Sequence, residues 1–212
     1  MSNGGWTLIS RFSNADSANW MQYSGNWWYD RTTSYGSVTS TSNNYDMISP
    51  AFWLVQGNYI KITRNDDSWH TYLLKTPNNC IGGNTFRSFI TSYGNFRNGK
   101  VWNSDNCRGS CYSYFGGSYS STAGFSQASC SSNLRSYYYL SFWCDWSSGD
   151  GSVMMIGGGG SGCGRADHGI GITEEGSARF GSGNSECGYI GDRDFGDHCS
   201  YTTSYSLNLW IK

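Results

Sequence analysis

Tyr59-Ile-Lys-Ile-Thr-Arg64 and Thr71-Tyr-Leu-Leu-Lys75 flank the polar run Asn65-Asp66-Asp67-Ser68, and this stretch decides the class of fold. β-branched and aromatic residues crowd each flank while Asn and Asp favour the turn between them, so the pattern reads as two short strands and a solvated connection. The same signature recurs at Trp6–Phe12, Phe86–Thr91, Tyr137–Trp143, Val153–Ile156 and Leu207–Ile211, each bounded by Gly, Asn, Ser or Asp. One helix is expected, over Ser13-Asn-Ala-Asp-Ser-Ala-Asn-Trp-Met21, where good N-cap residues precede a pattern that would lay Trp20 and Met21 on a sheet. The irregular stretches between these elements are long, and such loops are as a rule functional or covalently tied. Pro50 and Pro77, the only prolines, mark turns ahead of Phe52-Trp53 and Cys80.

Composition bounds the partners. The 212 residues suffice for one domain, 1–212, with a core that needs no metal. Charged residues are 14% of the chain and the formal net charge is −1, so no basic field attracts nucleic acid or anionic lipid. Ten Trp, sixteen Tyr and ten Phe among many Gly, Ser and Asn describe a folded, loop-rich chain rather than a disordered one. No apolar run approaches the roughly 18 residues of a membrane span, so membrane insertion is not expected.

All eight cysteines, at 80, 107, 111, 130, 144, 163, 187 and 199, follow residue 79, and their even number points to disulfides and an oxidising, extracellular compartment. Zinc is the competing reading, yet no Cys-x-x-Cys pair occurs and Cys107/Cys111 lacks a second pair at finger-like spacing. Connectivity stays open, since eight cysteines allow about 105 pairings. No signal-peptide pattern opens the sequence, so a secreted protein of this sequence has been trimmed of its leader.

Chemistry concentrates in the C-terminal third. Cys187-Gly-Tyr-Ile-Gly-Asp-Arg-Asp-Phe-Gly-Asp-His-Cys199 sets three aspartates and a histidine between two cysteines, downstream of Gly164-Arg-Ala-Asp-His-Gly169. Ca²⁺ takes six to eight oxygens from carboxylates, carbonyls and water, and a stiffened Gly/Asp loop supplies them without bending a helix or sheet. A second acidic loop, Asp145-Trp-Ser-Ser-Gly-Asp-Gly151, lacks EF-hand spacing and reads equally well as an Asx turn in a hairpin. Gly157–Gly160 has no following Lys-Ser/Thr, so a close backbone crossing is favoured over a phosphate loop. Trp27-Trp28-Tyr29 and Tyr137-Tyr138-Tyr139 suggest sugar-stacking platforms, but successive strand residues face opposite sides and core packing is the default.

Catalysis is not expected. There is no Gly-x-Ser-x-Gly elbow, the three histidines lack zinc-hydrolase spacing, and bridged cysteines are inert.

Several motifs taken together carry a family resemblance: Gly4-Gly-Trp-Thr-Leu8, Tyr45-Asp-Met-Ile-Ser-Pro-Ala-Phe-Trp53, Asp167-His-Gly-Ile-Gly171, Cys187 through Asp197, and Leu207-Asn-Leu-Trp-Ile211. The chain resembles the fibrinogen-related domain, and within it the intelectin-like (X-type) lectins. The segments Asp145–Gly151 and Gly162–His168 are also similar to cnidarian extracellular and skeletal-matrix proteins with such a domain. The resemblance implies an α+β domain with a twisted, mainly antiparallel sheet, few short helices and long disulfide-tied loops.

It further implies a protein-bound Ca²⁺ that holds the sugar. Asp167 matches the acidic ligand and His168 the histidine beside the sugar, with Glu174 or Glu175 as the downstream Glu and Asp192, or alternatively Asp194, as the later acid. Tyr201 and Tyr205 correspond to the pocket wall. Because Ca²⁺ prefers oxygen, His168 is assigned a hydrogen bond to a sugar hydroxyl instead of a coordination position. The expected function is calcium-dependent binding of glycans or monosaccharides, weak per site and strengthened by homo-oligomers. The alternative is a structural extracellular-matrix or biomineral-associated protein that keeps the fold without binding sugar.

Overall fold

The computed structural model describes residues 5–13, 28–95, 106–116, 139–145, 151–156, 168–173, 193–195 and 205–212. Sheet dominates, nearly all of it antiparallel, with few and short helices. Where one sheet is expected from the sequence, two larger sheets and a small ribbon are found.

The first sheet has six strands in the order β2 (Met47–Ile48), β1 (Thr7–Ser13), β13 (Ser206–Ile211), β4 (Ile60–Arg64), β5 (Tyr72–Lys75) and β8 (Tyr114–Phe115). The first and last strands of the chain thus lie side by side, with Thr7 level with Ile211 and Phe12 with Leu207. The second sheet runs β12 (Arg193–Phe195), β11 (His168–Thr173), β10 (Gly151–Ile156), β9 (Tyr139–Asp145) and β7 (Asn106–Tyr112). The chain passes from β7 in one sheet to β8 in the other across buried Ser113. β3 (Gln56–Gly57) and β6 (Asn84–Thr85) make the ribbon.

Strands expected from the sequence at residues 6–12, 59–64, 71–75, 137–143, 153–156 and 207–211 are present with ends shifted by a residue or two. β9 and β10 pair antiparallel with Asp145 level with Gly151, and residues 146–150 of the acidic stretch lie outside the described residues. The Ser13–Met21 helix and the Gly157–Gly160 run lie outside the described residues.

Phe86–Thr91 is not a strand. It belongs to a helix, α2 (Phe86–Tyr93), preceded by the single turn α1 (Ala51–Leu54) that Pro50 opens. Thr85 is extended and its hydroxyl accepts from the Ser88 N–H at 3.2 Å, an N-cap that starts the helix, and Phe86, Phe89 and Ile90 bury the stripe that i, i+3, i+4 spacing produces. Six residues rich in aromatic and β-branched types are too few to reveal a 3.6-residue period, so the strand pattern wins on composition alone. Thr85→Ala should destabilise the protein by about 1 kcal/mol, read as a fall of roughly 2–4 °C in Tm. An unchanged Tm would show that tertiary packing alone holds α2.

One continuous core joins the inner faces of both sheets to α2. Ile9, Ile62 and Leu209 of the first sheet meet Leu140, Phe142 and Ile170 of the second around Phe86, Phe89 and Ile90. Trp28 and Tyr29 are wholly buried here, so these two residues of the aromatic run are core, as the default reading has it; Trp27 is outside the described residues. Trp143 is the exception to regular geometry, with φ 53° in mid-strand. Its indole N–H donates to Ile90 O at 2.8 Å, its ring meets Tyr29 edge-on at 4.8 Å, and a Cβ on Gly94 would come within 2.7 Å of it.

The outer face of the first sheet is covered over half its length by a polar strap, residues 37–45. Arg11, fully buried, donates from Nε to Tyr45 O (2.8 Å), from Nη1 to Ser40 O (2.6 Å) and from Nη2 to Ser37 O (2.9 Å). Asn208, Asn65, Ser206 and Ser13 donate to the carbonyls of Thr41, Ser42, Asn43 and Asn44. His70 Nε2 and Thr41 Oγ1 are 2.8 Å apart, and buried Asp46 accepts from the Ser13 N–H at 2.7 Å. Burial lowers the pKa of the Arg11 guanidinium while the charge of Asp46 raises it.

Among the described residues two bridges form, Cys80–Cys111 and Cys107–Cys144, the latter between directly opposed residues of β7 and β9. That removes zinc as the partner of Cys107 and Cys111. The bridges fit a secreted protein. Among the described residues no helix is long and apolar enough to cross a membrane.

Candidate functional site

β11 reads His168-Gly-Ile-Gly-Ile-Thr173, alternating Gly with Ile, and Ile170 is buried in the core. Antiparallel pairing to β10 sets Gly169 level with Met155 and Ile170 with Met154, residues buried at the centre of the second sheet. The start of β11 is therefore fixed by a rigid neighbour. On its other side lies β12, the one parallel partner among the described strands, with His168 level with Arg193, Gly169 with Asp194 and Ile170 with Phe195.

This pairing sets two stretches distant in the chain side by side. His168-Gly169 and Arg193-Asp194, 25 residues apart in sequence, begin their strands as neighbours. A parallel pair requires a crossover of about a dozen residues or more, and residues 174–192 supply it, carrying Glu174, Glu175 and Asp192 within the same connection. β12 is also the outer strand of its sheet, so one side of its backbone has no ladder partner among the described residues. Carbonyl oxygens on that side are offered outward.

Of the residues expected to act, His168 and Asp194 are thus neighbours in the strand register, offset by one residue. Asp167, Glu174, Glu175, Asp192 and Tyr201 lie outside the described residues. Tyr205, just ahead of β13, is 1% exposed, and the Arg64 guanidinium covers its ring at 3.7 Å. In this conformation Tyr205 backs the surface and presents no open face. Among the described residues no three His, Cys, Asp or Glu side chains gather into a group.

Arg193, opposite His168, had no role in the sequence reading. Its signal was the alternation Asp192-Arg193-Asp194, which places one cation within a segment that remains net negative through Asp197. Charges on an outer strand also have a plainer purpose, since they discourage pairing with another chain.

No family model matches this chain, and no curated protein matches it. The resemblance to fibrinogen-related lectins therefore rests on the quoted motifs, and the argument for a site rests on the meeting of β11 and β12.

The polar run Asn65–Ser68 forms an ordinary turn. Asp66 pairs with Arg64 at 2.8 Å on the surface, and Asp67 accepts from the N–H groups of Trp69 and Thr71, each at 2.9 Å. Partial burial of Asp67 works against its charge, and these hydrogen bonds more than offset it, leaving the carboxyl below its ordinary pKa.

Proposed function

We propose that this chain is a non-catalytic carbohydrate-binding protein that grips sugar hydroxyls through a Ca²⁺ ion at the junction of β11 and β12. The parallel register of His168 with Arg193 and of Gly169 with Asp194 supports the proposal, because these residues directly follow Asp167 and Asp192 in sequence. Asp167 and Asp192 each stand immediately before the first paired residue in sequence. With Asp194 as the alternative to Asp192, and Glu174 or Glu175 from the crossover, they supply carboxylates; carbonyls of an outer strand supply further oxygen.

This donor set is hard oxygen throughout, which suits Ca²⁺ and not zinc. Bound there, the ion would offer coordination positions that two vicinal hydroxyls fill in place of water. His168 hydrogen-bonds a sugar hydroxyl without coordinating the metal, and Tyr201 walls the pocket. A sugar buries little area, so each site is weak and multimers raise the avidity.

Calcium at a hundredfold over its Kd should stabilise the fold by about 2.7 kcal/mol, roughly 5–11 °C in Tm, and EDTA should remove both this gain and binding on a glycan array. His168→Ala should abolish array binding and keep the calcium-dependent Tm gain. Sugar binding untouched by EDTA overturns the metal mechanism. A calcium-dependent Tm without any glycan signal leaves the matrix-protein reading in its place.

A further inference from the structure

Beyond the strap, the outer face of the first sheet carries a row of half-buried to exposed residues that folding does not explain. Trp210 of β13 stands level with Lys61 of β4, Lys61 with Lys75 of β5, and Lys75 with Tyr114 of β8. Ile62 and Leu74, the next residues inward in register, are buried, so the two lysines share the outer face. Like charges directly opposed across strands oppose folding. Among the described residues the one ion pair is Arg64–Asp66, so neither lysine has an acidic partner there.

Both ammonium groups are held in place by rings. Lys61 Nζ lies 5.0 Å from the centre of Trp6 and 4.8 Å from that of Trp210, and Lys75 Nζ 4.3 Å from that of Tyr72. Such contacts fix a cation without neutralising it. Burial lowers the pKa of Lys61, a cost that a bound anion would relieve. At about 4.8 Å per strand, the row from β13 to β8 extends about 14 Å, the scale of a short polymer segment.

We propose that this face, centred on Lys61 and Lys75 and bordered by Trp6, Trp210, Tyr72 and Tyr114, binds a sulfated polysaccharide independently of calcium. Ammonium groups are compact point charges with three rotatable donors, able to meet the oxygens of a sulfate from several directions. The aromatic borders offer flat apolar surface to sugar rings. Two cations on a chain of net charge −1 are too few for the counterion-driven binding of nucleic acid, and the disulfides favour an extracellular ligand.

The test uses the intact chain in EDTA, with dextran sulfate, neutral dextran and a single-stranded oligothymidine as probes in a surface-binding assay. Dextran sulfate should bind and weaken with salt, and the other two should not bind. Lys61→Gln with Lys75→Gln should lower affinity for dextran sulfate at least tenfold, each single change giving part of the loss, while Tm stays equal or rises because the like-charge contact is gone. Undiminished binding by the double variant, equal binding of neutral dextran, tighter binding of oligothymidine, or absence of binding in EDTA each overturns the proposal. The last two of these point to a nucleic acid and to the calcium site respectively. Survival of EDTA-sensitive glycan binding in the double variant keeps the two sites distinguishable.

Discussion

Arg11→Met is expected to cost about 3–5 kcal/mol, among the largest losses any single substitution in this chain can produce. The guanidinium donates to three carbonyls of the strap, at Ser37, Ser40 and Tyr45, and methionine fills similar volume without replacing one of those donors. Each carbonyl left buried and unpaired costs about 1–3 kcal/mol, and Asp46 loses the nearby positive charge that offsets its own burial. Part of this is recovered if the strap lifts and lets water in, which is why the total falls below the sum. Urea denaturation should show the midpoint moving down with a smaller m-value if the strap opens, and an unchanged m-value if it stays closed. Arg11→Lys should recover only a fraction, because one ammonium lacks the planar fork that spans three separated oxygens. A loss under about 1 kcal/mol for Arg11→Met would mean that the remaining side-chain donors hold the strap unaided.

Trp143 yields the second large effect, with an unusual order among its variants. Removing the indole leaves a cavity against Tyr29 and Gly94 and an unpaired carbonyl at Ile90, so Trp143→Ala should cost about 3–5 kcal/mol. Within a strand, glycine is ordinarily worse than alanine by about 0.5–1 kcal/mol. At φ 53° the left-handed backbone penalises any Cβ by about 1–2 kcal/mol, so here Trp143→Gly should be the more stable of the two. Alanine ranking above glycine in a thermal melt would show that the backbone relaxes out of this conformation once the ring is gone. The packing of the indole is what pays for the strain.

Strand positions were legible because alternation needs only a few residues, and at Lys61-Ile62-Thr63 it also assigns the faces correctly. The extra residue Leu73 was not, since the register shift between β4 and β5 buries Leu73 and Leu74 in succession, a bulge that no period-two pattern predicts. α2 could have been found from Thr85 and the spacing Phe86, Phe89, Ile90, had the N-cap been weighed above composition. The passage from one sheet to the other at Ser113 was hidden, because its side chain looks like any loop serine in the sequence.

At the candidate site the residue types were visible and their meeting was not. The 25-residue offset that pairs β11 with β12 is a long-range fact, carried by the neighbours of β10 and not by either acidic motif. Disulfide partners were hidden for the same reason: Cys107 and Cys144 are level only because β7 and β9 run together over their whole lengths.

The strap has a consequence for how this sequence tolerates change. Its grip is exerted largely on main-chain carbonyls, which every amino acid possesses, while the gripping groups belong to Arg11, Ser13, Asn65, Ser206 and Asn208. Sequence drift at strap positions that offer the sheet only a carbonyl, such as Asn43 and Tyr45, is thereby tolerated, while Thr41 and Asn44, whose side chains meet His70 and Ser13, and the five gripping positions far away in the chain are not free to drift. Much of what holds this segment in place is written elsewhere in the sequence.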